Sequence, residues 1–489
     1  MKNKVVLVVG VLVLLLAAAG GIYYYMTNTP KNKYLLSEKR SYDQWNDYLS
    51  TRYEPEFELQ KNMTDDSYLS TLTLSASASE NILSTLGITQ ETLDATHLKF
   101  TMGHDRDLEQ SKLAIEPTIA STDIDPFSWT ADKEAQYAEA PILDNKLMVK
   151  NKDIKAVYER LTGEKPSKDF DPDMFNLNKL MEGNFTQEEI QDLQMRYLNV
   201  FMDSLTGEQF EKGKEKTVIF GETETLNTVT MTLENEDIKR IIENVLTEMK
   251  TDEEIKKWYD STLADVNGDS YEKVLDDALK ENKNETYGKV VAKNYMDGKD
   301  VLKRDIDLMP TEGGTYNVTM MQRIGDDVQF DVVAFEKGSD ETFHIEGTST
   351  GTGDVKDDYT VTIGDDEQPF IIHIVNTENV DNDERQNTIN VAFIENNETF
   401  FSTVINNVMM TDTKNNQQTS QGSLTFEIDG EPVSLNFDTT TKLKQKLNVK
   451  PDDAVDLHAM SDEEFNALKD MLTDNLDLLL SQLSVVNSY

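Results

Sequence analysis

The sequence predicts an α+β protein. An N-terminal transmembrane helix precedes a large antiparallel β-sheet, a meander able to curve into a half-barrel, and helices cover that sheet. Three observations carry this reading. Residues 5–25 run for 21 positions without a charge or a proline. Beyond Pro310, apolar residues alternate with period two between turn dipeptides, the mark of half-buried strands. Elsewhere they recur at spacings of three and four, the period of a helix.

The apolar run comes first. A helix of 21 residues rises ~31 Å at ~1.5 Å per residue, close to a hydrocarbon core of ~30 Å. Tyr23, Tyr24 and Tyr25 close it, and aromatic rings favour the membrane–water interface. Two readings stand: an anchor that stays, or a signal cut at Ala17–Ala19. Apolar character continuing through Ile22 favours the anchor. Lys2 and Lys4 precede the run, whereas Lys31, Lys33, Lys39 and Arg40 follow it, so the positive-inside count is divided. The four-residue basic start is that of an export signal. The expectation is a single-pass protein of the cell membrane with the bulk of its chain extracytoplasmic.

The rest divides in order. Residues 1–26 form the signal-anchor, and 27–65 a juxtamembrane helix, either stalk or first packed element, broken near Pro55. Residues 66–165 form an antiparallel β region, with Leu72, Leu74 and Ala76 on one face and serines and threonines opposite. A helix near 153–161 closes it. Residues 166–290 are helix-rich, interrupted by a strand carrying Val229, Met231 and Leu233. The stripe Leu193, Leu198, Phe201 and Leu205 follows a capping box at Thr186–Glu189, and Thr251–Glu254 starts another helix. Residues 291–445 form a β-meander, with about nine strands expected beyond Pro310. Residues 446–489 end in an amphipathic helix that opens on a Ser461–Glu464 box and carries Phe465, Leu468, Leu472, Leu476, Leu479 and Leu483.

Composition excludes several functions. The chain carries 91 acidic against 47 basic residues, a net charge of −44. Such a surface repels phosphate backbones, so nucleic acid is not a partner. With zero cysteines there are no disulfides, thiolate metal sites or cysteine nucleophiles. Neither a phosphate loop nor a dinucleotide fingerprint occurs.

Three motifs could carry chemistry. GTSTG (residues 347–351) has the spelling of a hydrolase nucleophile turn, but that turn needs a helix after it. Here another strand follows, and the stretch reads as a hairpin loop. His344 and Glu346 project to one face of a strand, as two metal ligands would, with no third ligand apparent. GHD (residues 103–105) reads as a turn. DVNGD (residues 265–269) places Asp265, Asn267 and Asp269 at positions one, three and five of a calcium-type loop, with Asp276 at twelve. Ser270 stands at position six, where that loop needs glycine. The competing reading is a joint between helices, with Asp269 as cap and Glu272 completing its box. No catalytic or cofactor-binding residue is assigned, and no cofactor is expected.

The order of a basic start, one span, KNKYLLSEKR (residues 31–40), LTLSAS (residues 72–77) and a closing meander resembles an uncharacterised family of membrane-anchored extracytoplasmic proteins from Gram-positive, bacillus-type bacteria. That resemblance implies location and assigns no functional residue. More coarsely, a one-faced antiparallel sheet with helices is similar to the half-barrels of envelope lipoprotein carriers and lipid-binding proteins, an analogy of fold alone. The functional expectation is a non-enzymatic envelope protein. It binds or carries a lipid or another hydrophobic ligand; the alternative is a structural or protein-interaction module whose partner is an envelope protein.

Overall fold

The computed structural model describes residues 29–166, 170, 172–181, 187–262, 270–351, 353–365, 367–472 and 475. Residues 5–25, the expected transmembrane helix, lie outside these, and among the described residues no helix is long and apolar enough to cross a membrane. The described strands number 21 and are assigned to one antiparallel-dominated sheet, mixed by the parallel pairing of Val455–Asp456 with Leu147–Lys150. Nine of them follow Pro310 before the short Val455–Asp456, as the alternation predicts. The chain divides into two compact units.

The first unit gathers Met1–Glu54, Gln187–Asn379 and Thr388–Ser402. Its sheet begins with Phe210–Ile219 and Glu222–Leu233, a hairpin. Among the described residues three helices intervene: Asn235–Thr251, Glu253–Thr262 and Tyr271–Asn284. The chain then returns as Lys289–Asp297, antiparallel to Glu222–Leu233. Up-and-down neighbours follow: Asp300–Met309, Tyr316–Ile324, Val328–Glu336, Thr342–Thr350, Asp354–Gly364 and residues 370–379. Val229, Met231 and Leu233 are buried, as their alternation predicts, against Leu198, Phe201, Ile238 and Ile241 of the helices. Phe210–Ile219 carries no such signal. Its residues 211–216 are exposed and present Lys212, Lys214 and Lys216, the charges that protect an edge strand from pairing further.

The second unit gathers Pro55–Thr186, Val380–Asn387 and Thr403–Tyr489. Tyr68–Ala78 is its central strand, paired with His97–Asp105 on one side and Glu431–Leu443 on the other. Gln110–Ile119, Phe127–Ala131, Ala135–Glu139 and Leu147–Lys150 extend the first side; Gln417–Ile428 and residues 403–412 extend the second. The turn Asp429-Gly430 has both residues at positive φ, 53° and 77°, which a two-residue hairpin with this twist demands.

Local readings shift in several places. Residues 103–105 end the strand His97–Asp105 rather than forming a turn, because His104 is held across the ladder by Ser111 at 2.8 Å. Residues 347–350 are strand, and the loop begins at Gly351. Thr251 ends one helix instead of starting the next; Asp252 is the cap, accepting from the N–H groups of Glu254 and Ile255 at 3.0 and 3.2 Å. Ser270, one residue after the expected cap Asp269, accepts from Lys273 N–H. The Ser461–Glu464 box is reciprocal, at 2.8 and 3.3 Å. Thr186 and residues 476–489 lie outside the described set.

Candidate functional site

In the first unit, helix Pro30–Arg52 lies on one sheet face through a polar stripe. Tyr34, Glu38, Ser41, Trp45, Tyr48 and Arg52 recur at spacings of four and three, so they share one side of the helix. Glu38 is 3% exposed; Arg304 donates to both its carboxylate oxygens at 3.1 and 2.9 Å, and Asn294 adds a bond at 2.6 Å. Gln322 donates to Ser41 Oγ at 2.7 Å and accepts from Trp45 Nε1 at 3.2 Å. At the far end, Arg52 donates to Asp357 and Glu378, and Tyr48 bonds Ser349. Burial opposes charge on Asp357, yet hydrogen bonds from Arg52, Ser349 and Asn376 outweigh it and hold its carboxyl below the usual range. Beside this group opens a cleft of about 300 Å³, lined by Arg40, Gln44, Tyr48, Arg52 and Asp326 among others.

This arrangement disposes of the GTSTG spelling. Ser349 is 2% exposed near the end of its strand, paired on both sides, and its hydroxyl donates to Asp357 at 2.5 Å. The next described element is the strand Asp354–Gly364 rather than a helix, and the partners of the hydroxyl among the described residues are Tyr48, Arg52 and Asp357, none of them a histidine that could take its proton.

The second unit offers an apolar surface. Residues paired across antiparallel strands share a face, so the register sorts the side chains. One row runs Ile405, Leu424, Leu435, Ala76; another runs Gly422, Phe437, Leu74, Leu98, Pro117; a third runs Leu72, Phe100, Ile115, Phe127. The opposite face carries Thr71, Thr73, Ser75, Thr440, Asp438 and Asn436. A packed sheet alternates buried and exposed positions, as Glu222–Leu233 does in the first unit. Tyr68–Ala78 does not: all its residues are half-buried although both its edges are paired. Leu435 is 43% exposed and Phe127 37%. The short helix Gln90–Asp94 lies beside this strand.

A third feature lies on the polar face of the first unit's sheet. Asp331 pairs directly with Glu346 across adjacent strands, and His344 pairs with Val333 two positions away. The ligating atoms of Asp331, His344 and Glu346 all lie within 4.8 Å of one another. Sequence reasoning found the pair His344 and Glu346 and missed Asp331. Of the calcium-loop residues, Asp265, Asn267 and Asp269 lie outside the described set. Asp276 is an exposed helix residue paired with Lys250.

No family model matches the sequence, and neither does any curated protein. Among solved structures, the crystal structure of Pseudomonas aeruginosa OpdL aligns with 77% of this chain and 98% of that one at 6% identity. Its TM-score is 0.15, too low to carry an argument.

Proposed function

We propose that this protein is a non-catalytic, membrane-anchored envelope module that takes a lipid or other long hydrocarbon ligand on the apolar face of the second unit's sheet. The supporting observation is the half-burial of every residue in the doubly paired strand Tyr68–Ala78. The surface around it is largely aliphatic and aromatic, with Ala76 and Ala78 leaving low ground beside Leu72, Phe100 and Phe437. Seven strands at ~4.8 Å spacing give such a ligand roughly 29 Å of floor. Each methylene it buries contributes about 0.8 kcal/mol, so ten supply roughly 8 kcal/mol before ordering costs. The apolar run at residues 5–25 supports the anchor, and the basic start before it supports export.

Full-length protein, purified in detergent and delipidated, tests this. Native mass spectrometry and titration with a fluorescent long-chain fatty acid are expected to show saturable uptake of one or a few molecules at micromolar concentration. Absence of uptake overturns the proposal. A stoichiometric protein recovered from crosslinked membranes, without lipid uptake, replaces it with the interaction-module role.

A further inference from the structure

We propose that Asp331, His344 and Glu346 form a binding site for one divalent transition-metal ion of the zinc or manganese class. The inference is independent of the ligand face, since the three residues stand on the polar side of the first unit's sheet.

The donor set is the first argument. One imidazole and two carboxylates suit borderline divalent ions, which take nitrogen and oxygen ligands together. Geometry is the second. His344 Nε2 and Asp331 Oδ1 are 3.2 Å apart. Two ligands bound at ~2.1 Å to one ion lie about 3.0 Å apart in octahedral and about 3.4 Å apart in tetrahedral coordination. The observed distance falls between those values. Glu346 is the exposed member, free to swing its carboxylate inward from within 4.8 Å.

The third argument is that these two atoms lack hydrogen bonds. Asp331 Oδ1 and His344 Nε2 are both shielded from solvent, and neither makes a hydrogen bond of acceptable geometry. Buried polar atoms are normally paired, so an exception needs a reason. With its proton on Nδ1, the His344 imidazole meets Asp331 as a second acceptor, and a cation between the two atoms satisfies both. Charge gives the same answer. Asp331 sits directly opposite Glu346, and like charges in that relation repel. Met321 faces Asp331 from the strand before, Thr360 faces Glu346 and Thr362 faces His344 from the strand after, none of them cationic. Among the described residues no lysine or arginine pairs with either carboxylate. The second acid–histidine pair on this face, Asp358 with His373 at 2.9 Å, differs in having a well-formed hydrogen bond.

The test is a titration of chelator-treated full-length protein with Co²⁺, read by its visible absorption, and with Zn²⁺ or Mn²⁺ by calorimetry. The expected result is one equivalent per chain, with affinity falling at least 10-fold in both His344→Gln and Asp331→Asn. His373→Gln and Asp276→Asn leave it unchanged. Circular dichroism confirms that each variant folds, and a proton NMR signal of His344 broadened by stoichiometric Co²⁺ reports the site even if one variant fails. Three outcomes overturn the proposal: no saturable equivalent, affinity indifferent to His344→Gln, or several weak equivalents spread over the acidic surface.

Discussion

Arg52 Nη2 donates to Asp357 Oδ2 at 2.7 Å, and the same guanidinium reaches both oxygens of Glu378 at 3.1 Å. One side chain in the last turn of helix Pro30–Arg52 thereby joins two neighbouring strands. Burying three charges is expensive, and attraction repays it only when the geometry is good and the remaining lone pairs are satisfied. Here Asn376 and Ser349 satisfy Asp357 at 2.8 and 2.5 Å. Glu38 with Arg304, and Ser41 with Gln322, repeat the pattern along the helix. A slide by one turn would leave every one of these groups buried without its partner, so the polar stripe sets the helix register.

Removing the guanidinium leaves two carboxylates buried together. Arg52→Met is expected to destabilise the first unit by ~3–5 kcal/mol, the usual cost of breaking a buried pair. The exposed pair Lys133–Glu109 provides the contrast: Lys133→Ala should change stability by less than ~0.5 kcal/mol. Urea midpoints of the two variants check this, and equal midpoints would show that the buried group contributes nothing special.

The same group sets an acid limit. The Asp357 carboxyl is held below its usual range in the fold, so its contribution is complete above the unfolded value of about 3.9 and is lost as pH falls through the lower folded value. Asp252 behaves alike: burial opposes its charge, but Tyr197, the Ile255 N–H and Arg196 outweigh that. Asp357→Asn should therefore be less stable than the parent at pH 7, with the difference shrinking steadily below about pH 4. Thermal melts across pH 3–7 measure it. A gap that widens on acidification would reverse the sign assigned here.

Exposure separates binding from folding on the ligand face. Leu435 is 43% exposed, so Leu435→Glu should cost less than ~0.5 kcal/mol of stability while weakening fatty-acid uptake at least ~10-fold. Phe201 is 0% exposed in the core of the first unit, and Phe201→Ala should cost ~3–5 kcal/mol with affinity unchanged in the folded fraction. Fluorescence titration beside denaturant unfolding distinguishes them. If both variants lose stability and binding together, the face is ordinary core.

Legibility in the sequence followed apolar periodicity. Val229, Met231 and Leu233 alternate and are buried; Leu193, Leu198, Phe201 and Leu205 recur at helical spacing and are buried too. The nine strands beyond Pro310 announce themselves by alternation and by turns such as Asp429-Gly430. What periodicity cannot see is a buried stripe made of polar groups. Glu38, Ser41, Tyr48 and Arg52 have the right spacing, but a search for apolar residues passes over them. The edge strand Phe210–Ile219 hides for a similar reason, its lysines serving protection rather than packing. Asp331 was within reach. A hairpin centred between Gly338 and Ser339 puts Asp331 opposite Glu346, as observed, so the turn residues already contained the register. Pairing Tyr68–Ala78 with Glu431–Leu443 was not, because no local signal spans that separation.

Glycine inside a strand usually marks a close approach, and two positions here show one. A Cβ at Gly347 would run into the rings of Tyr359 and Phe330, which pack over the gap. At Gly422 it would meet the Phe437 ring and the Asn406 carbonyl. Neither ring can retreat freely: Phe330 and Tyr359 pack on each other at 5.6 Å, and Trp45 rests on Phe330 at 6.2 Å. Gly347→Ala should therefore cost ~1–3 kcal/mol through overpacking, lowering the melting temperature by roughly 2–4 °C per kcal/mol in a unit of this size. Gly353 has open space around its Cβ position, and Gly353→Ala should be neutral within ~0.5 kcal/mol. Calorimetry on the two variants makes the comparison. Equal melting temperatures would mean that the aromatic cover over Gly347 is loose enough to admit a methyl group, and the helix it helps to seat would be less tightly held than its hydrogen bonds imply.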